Sequence, residues 1–109
     1  MPIPKGVQVT QKNYSKIVTA AGTAEPLFAA NTVEGERGCY EVLVQADYNN
    51  TGNVVVGTEP NVTISATKGL TIGYQLTPGQ AIIIEMEKLS DIYVDAITSG
   101  DAVNGIYTY

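Results

Sequence analysis

Residues 40–47 read YEVLVQAD, a stretch in which apolar and polar side chains alternate along the chain. A period of two places one set of side chains on a buried face and the other in water, which is typical of a half-buried β-strand. Leu43 is the exception, because it adds an apolar side chain to the polar set. The stretch therefore predicts a β-strand that carries one apolar residue on its solvent face.

Segments of the same kind follow toward the C-terminus, at residues 62–67, 70–77, 81–87, 92–97 and 103–109. The connections between them are rich in Asn, Gly and Pro, which favour tight turns and leave no room for crossover helices. Together with shorter candidates before residue 38, they indicate about eight short strands at intervals of roughly 8–12 residues. This spacing predicts an all-β fold, an antiparallel β-sandwich of the jelly-roll type.

Two segments make specific predictions about which side chains face the core. Alternation along residues 70–77 places four apolar side chains on one inward face: Leu70, Ile72, Tyr74 and Leu76. Along residues 103–109 it places Val103, Tyr107 and Tyr109 on one face and Ile106 on the other.

The N-terminal part of the chain is organised differently. Pro2 and Pro4 favour an extended segment, because proline cannot donate to a strand ladder and restricts the residue before it. We expect an N-terminal arm over residues 1–12 and one β-sandwich domain over residues 13–109. A chain of 109 residues fits a single domain of ordinary size.

The composition excludes several kinds of chemistry. The chain has no histidine and a single cysteine, Cys39, so it lacks the partners of a serine or cysteine nucleophile, the usual zinc ligands and an intrachain disulfide. Two pairs of carboxylates, Glu85 with Glu87 and Asp91 with Asp95, have strand spacing, but exposed acids on a strand favour solubility over catalysis. We expect no enzyme activity, no catalytic residues and no cofactor.

Charge and hydropathy restrict the partners. Eleven acidic and six basic residues leave a formal net charge of −5, which repels phosphate backbones and anionic lipid headgroups. The sequence has neither the apolar run of a signal peptide nor a stretch long enough to span a bilayer. We expect a protein made and used on the cytosolic side that binds neither nucleic acid nor membrane.

Four short motifs follow one another along the chain: Val44-Gln45-Ala46-Asp47, Asn53-Val54-Val55-Val56-Gly57, Leu76-Thr77-Pro78-Gly79-Gln80-Ala81 and Leu89-Ser90-Asp91-Ile92-Tyr93-Val94. In this order, over residues 38–109, the chain resembles small β-rich accessory proteins of tailed-bacteriophage virions, of the head-decoration or head-fibre type. It implies a structural virion protein that decorates or stabilises a phage capsid by stoichiometric binding. It also implies assembly in the host cytoplasm, the major capsid protein or other virion proteins as partners, and a homo-oligomer with threefold symmetry favoured.

Candidate interface residues follow from this interpretation. Ile3, Lys5 and Val7 lie on the arm that is expected to anchor to the shell, and Ile83 is an apolar residue on the outer side of its predicted strand. Tyr107 and Tyr109 are the tyrosines nearest the chain end, and tyrosine suits a partly wet interface.

Two alternatives stay open. One is a tail or fibre component, in which similar strand and turn patterns occur. The other is a carbohydrate- or calcium-binding β-sandwich module, for which Tyr48 beside Asn49 and Asn50 is the candidate. Asp47, Asn49 and Thr51 partly match a calcium loop, but Thr58 stands where the bidentate glutamate belongs, so no metal ligand is assigned.

Overall fold

A computed structural model describes residues 10–86 and 88–109. The predicted interface residues Ile3, Lys5 and Val7 lie outside these ranges, as does Glu87. The described residues form eight strands: β1 (Gln11–Ile17), β2 (Glu25–Pro26), β3 (Glu41–Ala46), β4 (Val54–Gly57), β5 (Tyr74–Leu76), β6 (Ala81–Ile84), β7 (Tyr93–Ala96) and β8 (Ala102–Thr108). One 3₁₀ turn, Leu89–Asp91, precedes β7.

The strands pack as two antiparallel four-stranded sheets. Sheet A has the order β1-β8-β3-β6 and sheet B has the order β2-β7-β4-β5. The first strand pairs with the last, the second with the seventh, and so on inward along the chain. The pairs are β1 with β8, β2 with β7, β3 with β6 and β4 with β5. This connectivity is that of an eight-stranded jelly roll, so the predicted fold class is confirmed.

The core lies between the two sheets and follows the predicted alternation. In β3 the side chains of Val42, Val44 and Ala46 are fully buried while Leu43 points to the outer face. In β8 Val103 and Tyr107 face inward and Ile106 faces outward. Period-two patterning therefore predicted the buried face of both central strands of sheet A correctly.

The predicted strands at residues 62–67 and 70–77 are largely missing. A single bridge joins Thr63 to Ile72, and the regular strand is only Tyr74–Leu76. Gly73 explains the break: its φ of +118° favours glycine, and a Cβ there would lie 2.7 Å from Cγ2 of Val55. The chain bends at this point, so Leu70, Ile72 and Tyr74 are exposed instead of buried.

β1 begins at Gln11, inside the range predicted as the arm. Its backbone is already tied to the domain at Thr10, whose N–H and C=O each bond to the backbone of Tyr109. Within the described ranges, no helix is long and apolar enough to cross a membrane.

Candidate interaction surface

The two sheets are joined tightly where β1 and β2 lie at the same side of the sandwich. Lys16 of sheet A and Glu25 of sheet B form an ion pair at 2.8 Å. Burial opposes ionisation of Glu25, but Lys16 and the hydrogen bonds from Ala20 and Thr19 outweigh it and lower the pKa of Glu25. Beside it, the ring of Tyr14 in β1 meets the ring of Phe28, which follows β2, edge to face at 5.8 Å. We call this the closed side, defined by Tyr14, Lys16, Glu25 and Phe28.

An aromatic chain continues from the closed side into the core. Tyr107 packs against both Tyr14 and Phe28, and Tyr109 stacks on Tyr107 at 5.7 Å. The hydroxyl of Tyr14 crosses Gly105 in β8 and donates to the carbonyl of Leu43 in β3 at 2.8 Å. The glycine makes this crossing feasible, because a Cβ at position 105 would lie 3.1 Å from the hydroxyl oxygen and 1.8 Å from that carbonyl.

A cluster of charged and tyrosine side chains surrounds the last two rings of this aromatic chain. We call it the Glu34 cluster (Lys12, Glu34, Arg37, Tyr107 and Tyr109). Arg37 donates to both carboxylate oxygens of Glu34, Lys12 donates to one, and the hydroxyl of Tyr107 donates to the other. The Tyr107 hydroxyl and then Arg37 lower the pKa of Glu34 to about 2. Burial, followed by the bond to Glu34, raises the pKa of Tyr107 to about 12.

These contacts locate two of the predicted interface residues. Tyr107 is 2% exposed, so in the described chain it is a core residue and presents almost no surface to a partner. Tyr109 is half-buried, with the guanidinium of Arg37 4.2 Å above its ring. An interfacial role for Tyr109 stays a prediction.

Ile83 lies on the outer face of sheet A and is 61% exposed. Its cross-strand partner is Leu43, whose partner in β8 is Ile106, so three apolar side chains from three strands form one line. We call Ile83, Leu43 and Ile106 the apolar row. The rows on either side of it are polar or small: Thr108 and Glu41 in one, Asn104, Gln45 and Ala81 in the other.

Sequence reasoning named Ile83 but missed the rest of the apolar row. The signal was present, since Leu43 interrupts the alternation of its strand and Ile106 opposes the inward residues of β8. Only the strand order and register bring these exceptions together, and neither is readable from one sequence. The arrangement matches what distinguishes an interaction surface, an apolar centre with a polar margin.

On the side opposite the closed side, the edges of the two sheets stand apart around β6 and β5. A groove of about 330 Å³ lies there, lined mainly by apolar side chains, among them Val56, Val62, Ile72, Tyr74, Ile82 and Ile84. Ile82 and Ile84 are only half-buried, and Ile72 and Tyr74 are exposed. We call this the open side.

In the candidate calcium loop, hydrogen bonds join the connection between β3 and β4 to the connection between β7 and β8 and to the start of β8. Asp47 accepts from the backbone of Asn49 and from the side chain of Asn104, while Asp101 accepts from the backbone of Thr51 and Gly52. The side chain of Asn50 pairs with the backbone of Ala102 as a strand residue would. Among the residues that the structure describes, no three acidic, histidine or cysteine side chains lie close enough to hold a metal ion.

The aromatic candidate for a sugar site, Tyr48, is 79% exposed, and a Cβ on Gly79 would lie 3.2 Å from its ring.

The predicted carboxylate pair Asp91 and Asp95 does not share a strand face, because Asp91 lies in the 3₁₀ turn and Asp95 in β7. The side chain of Asp95 is buried. Its Oδ1 accepts from the backbone N–H of Gly22, whereas its Oδ2 has no hydrogen-bond partner within the described part of the chain.

Cys39 is buried, and its thiol donates to the carbonyl of Met86. Burial raises the pKa of this thiol, which disfavours the reactive thiolate.

Comparison with protein-family models finds no match, and no curated protein matches the sequence. Among solved structures, the chain is similar to a protein of Bacillus endospore appendages, described as a novel family of disulfide-linked pili. The TM-score is 0.53 and the identity 14%, over 99% of this chain and 93% of that one. A likeness at this identity supports the fold and leaves function to be argued from the surface.

Proposed function

We propose that the protein is a structural component of a bacteriophage particle, which binds the capsid in many copies and acts through surface contact rather than catalysis. The observation that carries the proposal is the apolar row, which is flanked on both sides by rows of polar or small residues. Such a surface gains free energy when a partner removes it from water. The resemblance of residues 38–109 to phage accessory proteins supports the capsid as that partner.

The mechanism in this proposal is stoichiometric. One apolar row is small compared with the roughly 800 Å² per partner of a stable interface, so a single contact would be weak. Many copies on a repeating shell, in contact with the shell and with one another, convert weak contacts into lasting attachment. Closure of the copies by cyclic symmetry, with threefold favoured, belongs to the same proposal.

A fibre component of a phage particle is the second candidate, and the similarity to a pilus protein favours it. The disulfide linkage in that description does not transfer to this chain. Linking subunits into a polymer requires two cysteines in each, whereas the 109 residues contain only Cys39, which is buried. A fibre built from this chain would depend on non-covalent contacts.

Co-sedimentation tests the proposal. Purified protein is added to particles of the parent phage from which this gene has been deleted, and the bound copies are counted as the protein concentration rises. We expect saturation at a fixed number per particle, with gold-labelled protein on the head in electron micrographs; label on the tail would favour the fibre candidate. Absence of saturable binding, or specific binding to a glycan array, would overturn the proposal.

The variant Ile106→Lys places a charge in the middle of the apolar row and should weaken particle binding at least tenfold. The matched control is Ile97→Lys, because Ile97 is also an exposed isoleucine but lies beyond β7 of sheet B. Equal binding by the two variants would contradict a role for the row.

A further inference from the structure

The groove at the open side has room for only a few side chains. Its volume of about 330 Å³ lies at the small end of the roughly 300–1,000 Å³ that is typical of ligand pockets. Ile72 and Tyr74 in its wall are exposed, and so is Glu59, the one acidic residue among the described residues that line it. The groove therefore fits an extended segment that carries an apolar side chain and a positive charge, rather than the face of a folded domain.

The sequence of this chain contains such a segment. Residues 1–9 precede the described part of the chain and read MPIPKGVQV. The two prolines favour the polyproline II conformation, which is extended before binding and therefore loses little entropy when it docks. Proline-containing segments bind grooves lined by aromatic side chains, and they need no free sheet edge. Ile3 supplies the apolar side chain and Lys5 the positive charge.

The point at which this segment joins the domain favours the groove of another copy. Thr10 precedes β1 on the closed side, and its N–H and C=O bond to the backbone of Tyr109. Ile3 is seven residues away and can extend up to about 23 Å from this anchor. The groove of the same copy lies beyond β6, three strand spacings or about 14 Å away, so the segment would have to turn back across the sandwich. A copy packed alongside in the same orientation presents its open side directly to this closed side.

We infer that Ile3 of one copy inserts into the open-side groove of the next copy, with Lys5 beside Glu59 at the groove rim. The contact joins two different surfaces, so it is heterologous, and its repetition either closes a ring or extends a filament. A ring of three agrees with the threefold closure in the proposed function, and a filament agrees with the fibre candidate.

This inference deepens the proposed function and rests on it only in that both require copies to meet. It assigns the arm residues Ile3 and Lys5 to a sister copy instead of the shell, and it leaves the apolar row free for the capsid. It also removes the exposed Ile72 and Tyr74 from water.

Cysteine cross-linking tests which copy receives the arm. In a Cys39→Ala background, Ile3→Cys together with Ile72→Cys places one thiol on the arm and one at the groove, within reach of a disulfide. Under mild oxidation we expect covalent species of two and three copies, or a longer ladder for a filament. Their yield should be at least tenfold above that of the control, Ile3→Cys with Ile97→Cys, which moves the second thiol to an exposed position outside the groove.

Two results of this experiment would overturn the inference. A disulfide that forms only within single chains would place the arm in the groove of its own copy. Equal cross-linking of the chain and its control would mean that the groove does not hold Ile3.

Mixing two defective variants tests the contact without new thiols. Ile3→Asp removes the inserted side chain and leaves the groove intact, whereas Ile72→Asp puts a charge in the groove and leaves the arm intact. In light scattering coupled to size exclusion, the equal mixture should associate at least tenfold more tightly than either variant alone. The controls Gln8→Asp and Ile97→Asp should keep the mass of the unmodified chain.

Circular dichroism checks that the variants are folded, as expected for exposed positions. A mixture that associates no more tightly than its components, or one mass for all four variants and the unmodified chain, would contradict arm insertion between copies.

The two proposals fail separately in these experiments. Saturable binding to phage particles by a chain whose copies never cross-link through Ile3 removes the arm contact and leaves the proposed function. Copies that cross-link through Ile3 but ignore the particles do the reverse.

Discussion

The closed side and the open side of this sandwich are edges of the same two sheets, but side chains join the sheets at the closed side and leave a groove between them at the open side. At the closed side, the Lys16–Glu25 ion pair and the Tyr14–Phe28 contact bridge the sheets, and each group finds its partner within the chain. At the open side, Ile72, Tyr74 and Ile82 line a groove and stay partly in water. Apolar surface kept in water costs free energy. The difference makes the open side the surface that we propose another molecule covers.

The two edges of sheet A show the same contrast in sequence terms. β1 carries Lys12 and Lys16 among mostly polar residues, and lysine discourages pairing with a foreign strand, whereas β6 is a run of alanine and isoleucine. Substitutions on the closed side should therefore change stability, and substitutions on the open side should change association. Four predictions test this contrast, in order of decreasing effect on stability.

The largest loss is expected from Tyr107→Ala. Its ring is buried against Tyr14, Phe28 and Tyr109, and removal of a buried aromatic side chain costs about 3–5 kcal/mol in the free energy of unfolding. The matched control, Tyr74→Ala on the open side, removes an exposed ring and should cost less than about 0.5 kcal/mol. Urea denaturation measures both; similar losses would mean that the two sides are not different.

Gly105→Ala is expected to cost at least about 3 kcal/mol, the upper end for overpacking, because the added Cβ would meet the Leu43 carbonyl, which is backbone, and the Tyr14 hydroxyl. Gly38→Ala is the control, since a Cβ there meets no atom within 4 Å. Thermal unfolding followed by circular dichroism separates them. A Gly105→Ala variant as stable as Gly38→Ala would contradict the close crossing of Tyr14 over β8.

Acid should weaken the Glu34 cluster. The folded pKa of Glu34 is about 2, below the ordinary value near 4.3, so the carboxylate stabilises the fold fully above that ordinary value. This contribution is lost as the pH falls from about 4.5 toward 2. We expect Glu34→Gln to cost up to about 1 kcal/mol at pH 7 and to lose less stability between pH 5 and 3 than the unmodified chain.

The control for that prediction is Glu59→Gln, which changes an acid on the open side and leaves the Glu34 contacts intact. Its acid unfolding profile, followed by circular dichroism from pH 7 to pH 2, should match that of the unmodified chain. If the acid unfolding profile of Glu34→Gln also matched that of the unmodified chain, the Glu34 cluster would contribute nothing to stability in acid.

The smallest effect on stability is expected at the β6 edge. Ile83→Ser should change the free energy of unfolding by less than about 0.5 kcal/mol, because the side chain is mostly in water in the single chain. Denaturation is followed at dilute protein, where association does not contribute. A loss above about 1.5 kcal/mol would place Ile83 in the core rather than at a surface.

Pattern reasoning predicted the fold class, the inward faces of β3 and β8 and the outward position of Ile83. It went wrong where one residue overrides a pattern: Gly73 bends the chain, and the alternating Leu70, Ile72 and Tyr74 do not form a buried strand. The predicted interface residue Tyr107 is buried in the single chain, since position near the chain end carries no information about burial. No local pattern indicates that Lys12, Arg37 and Glu34 meet, because they are 3 to 25 positions apart in the sequence.

The sequence by itself determined the all-β class, since alternation is a local property that each strand displays alone. It also determined that the chain carries no histidine and only one cysteine. Only the tertiary structure decided which strands lie at the edges of each sheet, that Ile83, Leu43 and Ile106 form one row, and that Glu34 meets Tyr107. Those contacts join residues tens of positions apart, and they depend on strand order and register, which no local pattern encodes.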